Sequence, residues 1–258
     1  MKTDLNLTIP MNEFSVDGIT TNIITKTFDG KDINLGSDKD PLSLKFKNPL
    51  TNELTCERSN LITNFGFNGT ALLTPSAFFN SELNINSLPD SLNGELLFID
   101  ISSVVECDRE YIEKKLKKLN VDFSKKYMIL FYTGFMDKLK VDYSTGVPNK
   151  LFWDAQSDRP YLTLSAVEYL NEIDISKGYL IDNVSFEANS GLTFNFPVTS
   201  LLINHNEKTK VFTPLIYHTI VSKEECEYLK NTVKEIYIEI GNVPSGNISG
   251  YSVKVLVK

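Results

Sequence analysis

Histidine, arginine and tryptophan are scarce in this chain: 258 residues include two His, three Arg (Arg58, Arg109, Arg159) and one Trp. Histidine is the most frequent general base in enzymes, and two isolated imidazoles, His205 and His218, exclude a multi-histidine metal site. Lysine supplies nearly all of the 26 basic residues, so clusters of bidentate arginine forks for phosphate are excluded as well. The net charge of −7 and pI near 5.0 argue against bulk electrostatic attraction to a polyanion, and no nucleic-acid partner is expected. Cys56, Cys107 and Cys226 are odd in number and widely spaced, with no CxxC pair. That excludes a disulfide framework or zinc ribbon and reads as reduced thiols. Long apolar runs are missing too. The stretch Tyr127 to Tyr132 falls far short of the roughly 20 residues of a membrane span, and Met1 to Asn6 lacks the apolar core of a secretory signal. No membrane partner is expected, and the expected location is cytoplasmic.

What is present is ordinary globular composition, 41% hydrophobic and 23% charged. No repeat or linker divides the chain, which reads as one domain over 1–258, with a polar strand-and-loop region at 1–60 packing on the rest. Turn signals fall at Asp29-Gly30, Gly36-Ser37 and Pro49 to Asn52, between short strand-like runs such as Ile23-Ile24. Strands are expected at 95–102, 127–135, 178–184, 200–204, 211–218, 235–240 and 252–258. Asp108 is placed to cap a helix with Ile112, Leu116 and Leu119 on one face and lysines facing water. Ser165 to Glu168 and Ser222 to Glu225 have capping-box spacing at two further helices. Strands and helices mix along the chain, predicting a β-rich α/β fold.

Familiar catalytic signatures are absent: no GxxxxGK[ST] loop, no GxGxxG after a strand, no HExxH and no GxSxG elbow. His205, between two Asn, is expected to be solvated. His218, ending an apolar strand, reads as a hydrogen-bonded structural group. Trp153, after Phe152, is placed to line a pocket, but core packing is the favoured reading.

One segment does carry a resemblance. Phe67-Asn68-Gly69-Thr70-Ala71-Leu72-Leu73-Thr74-Pro75-Ser76-Ala77-Phe78 resembles the cyclase-family signature H-x-G-T-H-x-D-x-P-x-H-F, known in bacterial kynurenine formamidases and isatin hydrolase. Gly69, Thr70, Pro75 and Phe78 stand where the family has them. Other pieces follow in order. Leu7 to Met11 resembles L-[ST]-H-P-[IL], and Leu130 to Phe135 resembles L-x-R-T-G-[WF]. Thr163 to Leu170 resembles S-P-E-A-A-E-W-L, and Ile181 to Ser185 resembles I-D-x-x-S. The resemblance implies a swivelling β/β/α-type fold assembled as a homo-oligomer, a dimer or tetramer, and metal-assisted hydrolysis of an amide or lactam.

The departures bear on that chemistry. In the family, two His and the Asp of the signature bind a divalent metal and the third His moves protons. Here those positions are Phe67, Ala71, Leu73 and Ala77. None offers the imidazole, carboxylate or thiolate that such metals require. The early His is Ile9, and 156–159 reads Gln-Ser-Asp-Arg where a further His is expected. Glu168 alone matches a family glutamate that reaches the metal in some members. No metal or other cofactor is therefore expected. Gly69, Thr70, Tyr132, Glu168 and Asp182 remain as a candidate pocket for a small-molecule ligand. Two readings stand: a catalytically inactive homologue acting in binding or interaction, and a metal-free enzyme, an amide hydrolase or cyclase, using Tyr132, Asp182, Glu187 or Glu168 as acid/base groups.

Overall fold

The computed structural model describes residues 70, 72–73, 91–135, 159–183, 185–188, 197–202, 221, 223–232, 234–240 and 253–258 in full. It adds the backbone of residue 71 and of strands at 14–16, 19–27, 45–47, 54–56, 58–64, 141–142, 147–148, 215–217 and 250–252. The chain divides into two compact units, residues 10–15 with 19–65, and residues 1–9, 16–18 and 66–258. In the smaller unit Ile19–Thr27 pairs antiparallel with Arg58–Asn64, setting Ile23 opposite Ile62 and Ile24 opposite Leu61. Ile and Thr dominate Ile19–Thr27, and such β-branched side chains favour the extended backbone. Lys45–Lys47 and Leu54–Cys56 form a second antiparallel pair.

The larger unit is built on an eight-stranded sheet. Numbered in chain order, its strands are β1 (Ala71–Leu73), β2 (Ser91–Asp100), β3 (Tyr127–Tyr132), β4 (Ser176–Ile181), β5 (Leu215–Tyr217), β6 (Glu235–Glu239), β7 (Gly250–Ser252) and β8 (Lys254–Val257). Their order across the sheet is β7-β1-β5-β4-β3-β2-β6-β8. The middle four run parallel, and the outer strands add on antiparallel at both sides. Parallel strands need crossovers, and among the described residues three helices of nine or ten residues lie between consecutive members of the sheet. These are α1 (Arg109–Lys118) between β2 and β3, α2 (Leu164–Ile173) between β3 and β4, and α3 (Lys223–Asn231) between β5 and β6.

Every side chain of β3 is buried, as a central parallel strand covered on both faces requires. Its alternate residues serve two cores. Tyr127, Ile129 and Phe131 join Leu97, Ile99 and Ile181 under Ile112 and Leu116 of α1 and Val167 and Leu170 of α2. Met128, Leu130 and Tyr132 join Phe98, Leu180, Ile236 and Ile238 under Cys226 and Leu229 of α3. Each fully buried aliphatic side chain of this kind is worth about 1.5–3 kcal/mol.

The helix ends follow local chemistry. Asp108 caps α1 as expected, its Oδ1 accepting the Tyr111 amide at 2.8 Å. At the other end Asn120 takes a left-handed conformation (φ 50) and donates to Lys117 O, while the Val121 amide donates to Leu116 O, both at 3.2 Å. Those two bonds form a Schellman turn, which satisfies the last carbonyls of the helix.

The cap of α2 is Thr163, whose Oγ1 accepts the Ala166 amide at 3.4 Å, so the Ser165 to Glu168 segment lies within the helix rather than opening it. One expectation needs correction. Residues 197–202 are helical, where a strand was expected over 200–204. An apolar run as short as Leu201 to Ile203 fits either element, and the deciding bonds come from elsewhere: both Glu187 carboxylate oxygens accept amides at the start of this helix. The turn signals in 29–52, the Ser222 capping position, Cys56, Phe152, Trp153, His205 and His218 lie outside the residues described in full.

Candidate functional site

The parallel strands β3 and β4 end side by side, with the Asp182 amide extending their ladder to Phe131 O (3.3 Å). In open α/β sheets the carboxyl ends of strands are where ligands bind, and here both chains leave the sheet as polar turns. Asp182 is fully buried and bridges them. Its Oδ1 accepts the Thr133 amide at 2.5 Å and the Thr133 hydroxyl at 2.6 Å, and its Oδ2 accepts the Gly134 amide at 2.9 Å. The Thr133 hydroxyl in turn accepts the Phe135 amide at 3.1 Å. Gly134 sits at φ +72, a conformation that glycine adopts without strain. A carboxylate engaged by three donors in this way fixes the shape of the Thr133 to Phe135 turn.

Next along the chain, buried Asn183 donates through Nδ2 to Pro160 O at 3.1 Å, tying this end of β4 to the Arg159-Pro160 segment. Arg159 and Glu187 are each 1% exposed, a charged pair deep in the protein. Glu187 Oε1 accepts the Thr199 amide at 2.6 Å and Oε2 the Val198 amide at 3.2 Å, so the carboxylate caps helix 197–202. Burial pushes the Glu187 carboxyl above its ordinary range, against the opposing pull of the Thr199 and Val198 donors and the positive Arg159. Burial also pushes the Cys107 thiol up to about 12, and raises that of Cys226, so neither resembles an activated nucleophile.

The residues singled out from sequence divide into groups. Tyr132 and Asp182 come together at the ends of β3 and β4; Tyr132 is buried and stacks on Phe98 with ring centroids 6.0 Å apart. Thr70 is buried, and its carbonyl accepts the Val253 amide at 3.1 Å beside β1. Ala71 pairs with Tyr217 and Ser252 in the sheet. Leu73 is 5% exposed and belongs to the same apolar core as Phe131 and Ile181. Glu168 is exposed on α2, whose buried side carries Ala166, Val167 and Leu170. Phe67, Gly69 and Ala77 lie outside the described residues. Thr133, Arg159, Asn183 and Thr199 were not singled out as site residues. Thr133 lay inside a quoted motif, but nothing local to Arg159 signals its burial.

A divalent metal does not fit the side chains at the signature positions. Leu73 is a hydrocarbon packed among hydrocarbons, and Phe67, Ala71 and Ala77 carry no donor atom. Among the described residues, no group of three or more His, Cys, Asp or Glu side chains comes together as a metal site. Among the same residues, no helix is long and apolar enough to cross a membrane.

Comparison with known proteins agrees with this architecture. Isatin hydrolase A from Labrenzia aggregata, bound to benzyl benzoate, superposes with a TM-score of 0.59 at 14% identity, covering 98% of this chain and 92% of that one. Isatin hydrolase A from Ralstonia solanacearum gives 0.61 at 12% identity, covering 98% and 90%. A predicted metal-dependent hydrolase from Bacillus stearothermophilus gives 0.50 at 15% identity, covering 92% and 98%. At such identities the likeness is one of fold. Among curated proteins, none matches the sequence. The sequence profile of the Cyclase family matches residues 5–188, taking in the degenerate signature, β2 to β4 and the Asp182 turn, and the chain belongs to that family.

Proposed function

We propose that this chain is a catalytically inactive member of the cyclase family, retained as a protein that binds a small molecule. One observation carries the reading: at the signature positions whose ligands would hold a metal, the chain has Phe67, Ala71, Leu73 and Ala77, and Leu73 is packed in the apolar core. Metal-assisted hydrolysis depends on a bound ion that lowers the pKa of water and polarises the carbonyl. A hydrocarbon core offers neither. The groups available for metal-free acid/base chemistry are engaged elsewhere, which favours binding over turnover. Asp182 fixes a turn through three hydrogen bonds, Glu187 caps a helix, Tyr132 is stacked in a core and Glu168 faces solvent.

The test restores the signature. The quadruple variant Phe67→His, Ala71→His, Leu73→Asp, Ala77→His is dialysed against Zn²⁺ or Mn²⁺ beside the unmodified chain, and both are analysed for metal. The variant is expected to take up about one ion per chain and the unmodified protein none above background. Stoichiometric metal in the unmodified protein, with stability lost on chelation, would overturn the reading.

A further inference from the structure

The end of the sheet opposite Asp182, where the parallel strands begin, gathers lysines. Lys117 and Lys118 close α1, Lys177 is the second residue of β4, and Lys234 and Lys258 stand just outside β6 and β8. Backbone bonds and side-chain packing bring these positions together. Lys234 O accepts the Leu96 amide at 2.8 Å, level with the start of β3, and the Lys234 amide donates to Lys258 O at 3.2 Å. The Lys177 side chain crosses to Gly94, where an added Cβ would stand 3.3 Å from its Cδ. All five lysines are exposed, and among the described residues none is in an ion pair. Lys125, Lys126 and Lys230 are already held by Glu95, Asp174 and Asp100, at 3.2, 2.6 and 2.9 Å. The carboxylates left beside the five free ammonium groups are Asp122 and Glu235, in a chain of net charge −7.

Two large apolar side chains project among these lysines. The Lys125 amide donates to Asp122 O at 3.1 Å, closing a turn over 122–125. Asp122 Oδ1 fixes that turn by accepting the Ser124 amide at 3.0 Å and the Ser124 hydroxyl at 2.6 Å. Phe123 is the second residue of the turn and is 52% exposed. None of these bonds calls for an aromatic ring at that position. Leu119, four residues back at the C-cap of α1, is 48% exposed.

This combination favours one kind of partner. Protein–protein interfaces are enriched in arginine and depleted in lysine, and here every unpaired cation is lysine. Separate apolar tips among spread ammonium groups suit an anionic bilayer. There each lysine near the surface adds roughly a factor of five to binding, and apolar side chains enter the headgroup boundary.

We propose that this end of the sheet docks on an anionic bilayer surface, with Phe123 and Leu119 in the headgroup boundary and the five lysines against the lipid charges. Attachment at a surface needs no spanning run, so the proposal sets aside the expectation of no membrane partner. It does not depend on the reading proposed above. The test is co-sedimentation of the full chain with vesicles of phosphatidylcholine, alone or with about one third phosphatidylglycerol. At low salt the protein is expected to bind the mixed vesicles at least about tenfold more tightly than the neutral ones, and to lose most of that binding in about 0.5 M salt. The pair Lys117→Glu, Lys118→Glu and the pair Phe123→Ser, Leu119→Ser are each expected to weaken it about tenfold or more. All four positions are exposed, so an unchanged urea midpoint verifies the fold of each variant. Absence of binding to the mixed vesicles would overturn the proposal, as would equal binding to both kinds or undiminished binding by the quadruple variant. So would a dimer of the parent that Phe123→Ser, Leu119→Ser converts to monomer, since a second copy would then cover this face.

Discussion

The Asp182 carboxylate receives both the amide and the hydroxyl of Thr133, at 2.5 and 2.6 Å, although 49 residues separate the two in sequence. Together with the bond from Gly134 at 2.9 Å, this pins the turn after β3 to the end of β4. Asp182→Ala leaves two buried donors of Thr133 and the half-buried Gly134 amide without their acceptor, at a cost of about 3–5 kcal/mol on urea unfolding. Asp182→Asn keeps one acceptor oxygen and is expected to cost less. An alanine variant as stable as the parent would mean that the turn holds its own shape.

Leu73 tests whether the signature region has become core. Leu73→Asp alone puts a carboxylate into the cluster with Phe131 and Ile181, and is expected to destabilise by at least about 3 kcal/mol near neutral pH. A near-neutral effect would show that polar room persists there.

Glu187 provides a pH signature. Its folded-state pKa is raised, chiefly by burial, above the ordinary value of 4.5. The stability it contributes is therefore fully present below the unfolded value and is lost as pH rises through the folded one. Glu187→Gln removes this dependence. Relative to the parent, the variant should gain stability as pH is raised from the ordinary carboxyl value of 4.5 into the range where the raised Glu187 titrates, measured by urea midpoints. A difference that stays constant across that window would remove Glu187 as its source.

Cys107 is buried, with its thiol pushed up to about 12. It should resist alkylation by iodoacetamide in native protein near neutral pH and react once the chain is unfolded, as read by peptide mass mapping. Rapid native labelling would indicate that α1 opens readily.

The sequence made local features legible and hid those fixed by distant partners. The apolar run of β3 and the Asp108 cap are set by neighbouring residues, and both stand where expected. Helix 197–202 was misread because its capping carboxylate comes from Glu187, outside any local pattern. Likewise, no spacing rule joins Asn183 to Pro160 across 23 residues. Resemblance drew attention to Glu168, whereas helical periodicity points the other way. With Ala166, Val167 and Leu170 buried, position 168 falls on the outer face of α2. Ile181 to Ser185 was noticed as a motif fragment, but the role of Asp182 became readable only once its donors were in place.

The central claim is that the family's metal chemistry is gone. It is met most directly by the initial rate of isatin ring opening by the purified, unmodified chain in saturating Mn²⁺. The account predicts a rate indistinguishable from buffer with the same metal. Turnover that requires Mn²⁺ and disappears on chelation would contradict it.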